Sequence, residues 1–455
     1  MSHRTARAEE PRQRPVGARL CATLALATAL SGCGITDWFG ASEPPPLPGT
    51  RIAVLTNQTE INPDPEISSQ PVSVPAPEAN ADWPLVGGTP SHVVGNPALP
   101  GTLREVWRVG IGSGSSSSRL LTAQPVVAGG RVYAMDAAYE VSAYEAQTGR
   151  RLWAVAVRPE RDAGDPRGGG VGFGDGRLYA TTGFGEALAL DPANGTILWR
   201  QKLPAPARSA PTVVGGRLFV VTSDNQLVAM NAADGNRLWV YTGIAEMAGV
   251  AGGAAPAVDG SVVVAPFSSG EVVALRAENG RLVWGDSLAA IRRTGAISQL
   301  ADIVGSPVVG RGLAFAVSHS GRMVAIDVRS GGRAWEHDIG GRDMPWVAGD
   351  MLYVMSLNAE LVAITRQSGR VRWVRQFDRL ERPDRRDLTI QWAGPVMAGG
   401  RLWLANTRRE LLAVDPAAGE TVQTLSLPDA VRIPPVVAGG TMYVLTDGGQ
   451  LIAYR

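Results

Sequence analysis

PTVVGGRLFVVTSDNQLVAMNAADGNRLWV, residues 211–240, decides the fold. Val213 and Val214, the pair Gly215 and Gly216, and Leu218 to Val221 read as strand, turn, strand, because a two-residue glycine turn supplies the positive backbone angles a short hairpin requires. Asp224 and Asn225 form the next turn and Leu227 to Met230 the third strand. Asp234 and Gly235 form the last turn, and Arg237 to Val240 the fourth strand.

The same pattern recurs along the chain. Its marker is an alanine in an apolar run, found at Ala143, Ala189, Ala229, Ala274, Ala325, Ala363, Ala413 and Ala453. Six residues after the first seven comes a glycine (Gly149, Gly195, Gly235, Gly280, Gly331, Gly369, Gly419), and ten residues after the first six comes a tryptophan (Trp153, Trp199, Trp239, Trp284, Trp335, Trp373). Fixed spacing within a unit and intervals of 38 to 51 residues between units describe one four-stranded module in eight copies, the signature of an all-β, eight-bladed propeller. The alanine is expected where neighbouring sheets approach most closely, and the tryptophan where the space between blades widens. The eighth copy ends at Arg455 without a fourth strand, while Leu103 to Gly110, with Trp107 in the tryptophan position, is a lone strand ahead of the first copy. Together they predict a composite last blade that closes the ring and leaves no open sheet edge there. In the seventh copy Gln423 replaces tryptophan, which predicts looser outer packing.

Composition narrows the function classes. The 455 residues are 45% hydrophobic and 19% charged with a formal net charge of +1, enough to bury a large core and without the basic excess of a nucleic-acid binder. Cys21 and Cys33 are the only cysteines, so the repeats carry no disulfide, thiolate nucleophile or cysteine metal site. Both lie in a leader with five arginines up to Arg19, then an apolar run Leu20 to Leu30, then Ser31, Gly32 and Cys33, the order of a secretory signal. Eleven apolar residues are too few to span a bilayer as a helix. These features divide the chain into a signal peptide over 1–32, a Pro-rich extended tether over 33–80 and a propeller over 81–455.

Two resemblances follow from these residues. LSGC, residues 30–33, is similar to the bacterial lipobox, which implies cleavage before Cys33, lipidation of Cys33 and, with Gly34 rather than aspartate next, anchoring at the outer membrane. ALALDPANGTILW, residues 187–199, resembles the quinoprotein type of propeller repeat. With the lipobox, tether and eight blades, the chain from about Trp83 to its end resembles the BamB family, the lipoproteins of the outer-membrane β-barrel assembly (Bam) complex. That resemblance implies a non-catalytic scaffold without cofactor or metal, on the periplasmic face of the outer membrane. Its implied partners are BamA, other Bam subunits and unfolded outer-membrane barrel proteins.

In that family BamA docks on loops between blades, near an arginine ahead of S-A-P-T and a D-x-D pair ahead of a later T-P-V-V. Here Arg208 directly precedes Ser209, Ala210, Pro211 and Thr212; Asp302 takes the first acidic position and Val304 the second. The resemblance therefore points to a charge-assisted contact at Asp302, supported by Ile303 and Val304 and by Arg208, with a solvated loop carboxylate as the alternative for Asp302.

Two other readings stay open. A periplasmic dehydrogenase using pyrroloquinoline quinone would share the blades but should add adjacent cysteines, a calcium constellation and insertions, none of which the sequence displays. A propeller binding another envelope ligand is the third. His92, His319 and His337 lack metal-ligand spacing, and 379–387 (RLERPDRRD) reads as a solvated loop. Barrel substrates adding a strand to an outer blade edge is a further expectation.

Overall fold

The computed structural model describes residues 61–160, 164–246, 249–250, 252–289, 301–382 and 388–455. Among them lie 32 strands in eight four-stranded antiparallel sheets, and no helix. Strands are designated a to d within a blade; the a strands of neighbouring blades touch and line the axis, and the d strands form the rim. Blades 1 to 7 span 126–156, 169–202, 212–242, 257–287, 308–337, 346–376 and 392–426. Blade 8 takes strands a to c from 436–454 and its d strand from Glu105–Gly110, which places Trp107 opposite Ala453. The composite closure read from the two chain ends is thus the observed one.

The residues named by the repeat explain how blades lock together. All eight marker alanines are fully buried on strand c. In blades 1 to 6 and 8 each sits opposite the rim tryptophan of its own blade, as Ala229 opposite Trp239. Every such indole then docks on the following blade: Trp199 donates from Nε1 to Ala232 O at 3.2 Å, and Trp107 to Ala146 O at 3.1 Å. The spaced glycine is the floor of that dock. Gly235 has φ +74°, and a Cβ there would lie 2.7 Å from Trp199, so both conformation and space demand glycine.

Blade 7 departs from this scheme for a topological reason. A docking indole needs the c-to-d turn of the next blade, and in blade 8 that connection does not exist, because strand c ends the chain and strand d begins it. Gln423 occupies the position instead, accepting from Arg401 at 2.9 Å, while Arg401 also reaches Gly101 O at 2.7 Å. Hydrogen bonds take the place of the indole at this seam.

A second regularity was invisible in the sequence. In all eight blades the c–d pairing slips by one residue immediately before the tryptophan position, leaving that residue as a β-bulge. A bulge twists the outer strand and aims the tryptophan into the space between blades. It also interrupts every free edge, which protects it against pairing with other chains and confines any strand addition to short stretches.

Residues 61–80, expected as part of an extended tether, lie on the propeller. The chain runs inward from the rim of blade 6 and then makes a circuit beneath the a strands. Asn80 bonds Val437 O at 2.6 Å in blade 8, Trp83 pairs with Val127 in blade 1, and Phe173 N in blade 2 bonds Pro84 O. Leu85 joins the core between blades 2 and 3; Val258 N in blade 4 bonds Pro90 O, and Val309 N in blade 5 bonds Ser91 O. Trp346 Nε1 in blade 6 bonds Gly95 O at 2.9 Å, and Gly400 N in blade 7 bonds Asn96 Oδ1 at 3.0 Å. This strap visits the blades in ring order and satisfies their exposed backbone groups, which gives a segment without regular structure of its own a fixed path.

Candidate functional site

Among the described residues, strap residues and the d-to-a connections line the two ends of an axial funnel of about 980 Å³. Its floor is the pair Trp83 and Trp346, stacked at 6.0 Å with 19° between planes. Its wall and mouth include Val304, Met344, Trp392 and Arg342.

The mouth is stitched together across blades 2 to 5. Thr181 in blade 2 bonds Ser209 O at 2.7 Å, Ser209 bonds Ala254 O at 3.0 Å, and Ser306 accepts from Ala255 N at 2.9 Å. Thr212 adds a bond to Pro256 O at 2.6 Å. The serine and threonine of the S-A-P-T string therefore hold the next loop in register.

Arg208 and Asp302, 94 residues apart, meet within this lattice. Arg208 Nη2 lies 2.8 and 2.7 Å from the two Asp302 carboxylate oxygens, and Val250 N donates to Oδ2 at 2.7 Å. Asp302 is fully buried and the Arg208 side chain 7% exposed. Both expectations for Asp302, an outward docking charge and a solvated carboxylate, are corrected: its charge is spent inside the protein, where desolvation would be prohibitive without the guanidinium. Ile303 is likewise fully buried in the core between blades 4 and 5, so it presents nothing to a partner. Val304, half-buried on the funnel wall, is the residue of this group that remains accessible. Cys33 lies outside the described residues.

Other polar groups at the mouth are committed locally. Burial pushes the Asp343 carboxyl up to about 7 against the pull of Arg342, and Gly394 N donates to it at 3.1 Å. His319 is pushed down by burial and by the Arg342 charge, opposed by Asp302. Asp429 accepts from Ala430 N and Gly448 N, each at 2.8 Å, and Asp447 pairs with Arg432. Arg342 is exposed and has no ion pair among the described residues. No group of three or more His, Cys, Asp or Glu side chains among the described residues is placed to hold a metal ion.

The funnel and strap were missed by sequence reading, although one signal was present. Seven of the twelve tryptophans hold the repeat position; of the other five, Trp83, Trp346 and Trp392 line the funnel.

Comparisons with known proteins agree with this architecture. A family model described as outer membrane protein assembly factor BamB matches residues 98–166, 139–375 and 380–455. Outer membrane protein assembly factor BamB of Escherichia coli (strain K12) is 30% identical over 380 residues, covering 82% of this chain and 93% of that protein. Among solved structures, BamB from Moraxella catarrhalis superposes with a TM-score of 0.67 at 20% identity, covering 78% of this chain and all of the other. A europium-containing methanol dehydrogenase shares the fold at a TM-score of 0.66 and 13% identity, covering 86% of this chain and 99% of the other.

Proposed function

The chain belongs to the BamB family of outer membrane protein assembly factors, and from that premise we propose that it is a non-catalytic scaffold of the Bam complex that binds BamA through the funnel face and helps present unfolded barrel proteins for insertion. The observation that carries this reading is the buried Arg208–Asp302 pair, which ties together the described parts of the connections leading into blades 3, 4 and 5. Contacts fixed in advance lower the ordering entropy that docking of a partner must offset. In this role Arg208 and Asp302 position the surface, Ile303 anchors it from within, and Val304 and Arg342 are offered to the partner. The carboxylates Asp302, Asp343, Asp429 and Asp447 around the funnel are each engaged by neighbouring protein groups, which fits a scaffold better than a quinone-dependent dehydrogenase built on the same blades.

We also read Cys33 as the lipidated first residue of the mature chain, anchored at the periplasmic face of the outer membrane. Several acyl chains make such anchoring stable where one would be marginal. Cys33→Ser should release the protein into the soluble periplasmic fraction; continued sedimentation with membranes would remove the anchor.

The docking reading is tested by co-purification of BamA from detergent-solubilised membranes. Val304→Glu combined with Arg342→Glu, both on accessible side chains, should lower BamA recovery at least tenfold with an unchanged melting temperature. Undiminished recovery would exclude the funnel face.

A further inference from the structure

The rim of blade 6 differs from the other seven in a way the repeat does not require. At the bulge position the other blades carry Val106, Leu152, Leu198, Leu238, Val283, Ala334 and Val422, all apolar, whereas blade 6 carries Arg372. Arg372 donates to the carbonyls of Ile67 and Gln70. Two residues earlier, Arg370 makes a two-nitrogen contact with Asp64, Nε to Oδ2 at 2.6 Å and Nη2 to Oδ1 at 2.9 Å, and reaches Glu66 at 2.6 Å. Asp64 N donates to Val371 O at 2.8 Å, and Ile67 is buried to 7% exposure. The Arg370 contact holds the Asp64 carboxyl below its usual range. An acidic turn is thus read by two arginines, one backbone bond and one apolar anchor, and fork-shaped arginine–carboxylate contacts carry directional specificity.

We propose that residues 61–70 are a clasp fastening the membrane tether to the rim of blade 6, so that the anchored propeller is suspended by that rim and not by the strap beneath its axis. This rests on the reading of Cys33 as the lipid anchor. Without the clasp, the next fixed polar contacts are at Pro75 and Glu78, where Asn96 bonds Pro75 O at 2.7 Å and Glu78 N bonds Asn96 O at 2.8 Å. Those contacts lie on the strap side, and a tether leaving from them would pull along the axis. Leaving from the rim, the tether keeps blade 6 nearer the bilayer than blade 2, four blades away around the ring. The funnel then opens sideways, clear of the membrane.

The test uses the full lipidated chain bound to phosphatidylethanolamine/phosphatidylglycerol vesicles containing a nitroxide-headgroup quencher, with a fluorophore on Arg375→Cys in blade 6 or on Leu198→Cys in blade 2. Quenching should be several-fold stronger at 375 than at 198, and Arg370→Glu with Arg372→Glu should erase that difference. Arg370→Glu combined with Asp64→Arg, which reverses the ion pair and leaves Arg372 on its two carbonyls, should retain it. Equal quenching at the two sites in the parent, or a difference unaffected by the arginine reversals, would overturn the proposal. Hydrogen exchange on the soluble Cys33→Ser protein separates the two readings. Protection over residues 61–70, lost with the arginine reversals while the blades stay protected, supports the clasp; absence of protection in the parent overturns it whatever the anchor. Vesicle binding that survives Cys33→Ser overturns the anchor reading and, with it, suspension by the rim.

Discussion

His92 sits in the strap at φ +64°, 2% exposed, with Nδ1 bonded to Pro307 O at 2.6 Å. Burial drives its pKa down from 6.5 to about 4, so the folded protein keeps the ring neutral while the unfolded chain takes up a proton below pH 6.5. A folded-state pKa below the unfolded one means stability present above pH 6.5 and lost as pH falls toward 4, amounting to about 3 kcal/mol for a shift of this size. His92→Asn, which tolerates the left-handed backbone, should remove that loss; denaturant unfolding of both proteins between pH 7 and 4 measures it, and parallel pH profiles would contradict it. At Arg208 and Asp302 the expectation is asymmetric. Either single change to alanine leaves a buried charge uncompensated and should lose about 3–5 kcal/mol, whereas Arg208→Met with Asp302→Leu should lose clearly less than the two singles together. Both residues were legible as site candidates, but their direction was not. The run around Asp302 has no strand or helix period, and its inward turn is set by a guanidinium 94 residues away.

At the scale of the strand, the indole dock accounts for the repeat's fixed spacings. Trp373→Ala should lose about 3–5 kcal/mol, as for other large buried aromatics, because it empties the space against Gly419 and frees the Pro416 carbonyl. Gln423→Trp provides the converse. The next blade has no c-to-d turn to receive an indole, so restoring the repeat's residue should give no gain in thermal stability, and a gain above about 1 kcal/mol would show that a dock exists there. Strands, turns and blade count were readable because they depend on period and spacing within thirty or so residues. The bulges were not, because a one-residue slip changes pairing without changing the apolar pattern on strand c. The strap was not, because its path is dictated by backbone groups of six separate blades, by the seat of Leu85 between blades 2 and 3 and by the Trp346 indole in blade 6.

For the whole molecule, the strap supplies part of the aromatic floor of the axial funnel. A chain beginning at Leu103 keeps the closing strand with Trp107 and should still form the ring, with a lower melting temperature and with Trp346 open to acrylamide quenching; an unchanged quenching profile would mean that the strap does not seal the floor. The fold itself is shared with dehydrogenases, so it does not decide function; the proposed role rests on the funnel face. That face is the one measurement to make. With a photo-crosslinking side chain at Val304 on the funnel wall, or at Asp259 on the strap side, irradiation of intact membranes should yield a BamA adduct from position 304 and none from 259. Adducts from 259 with none from 304 would contradict the account.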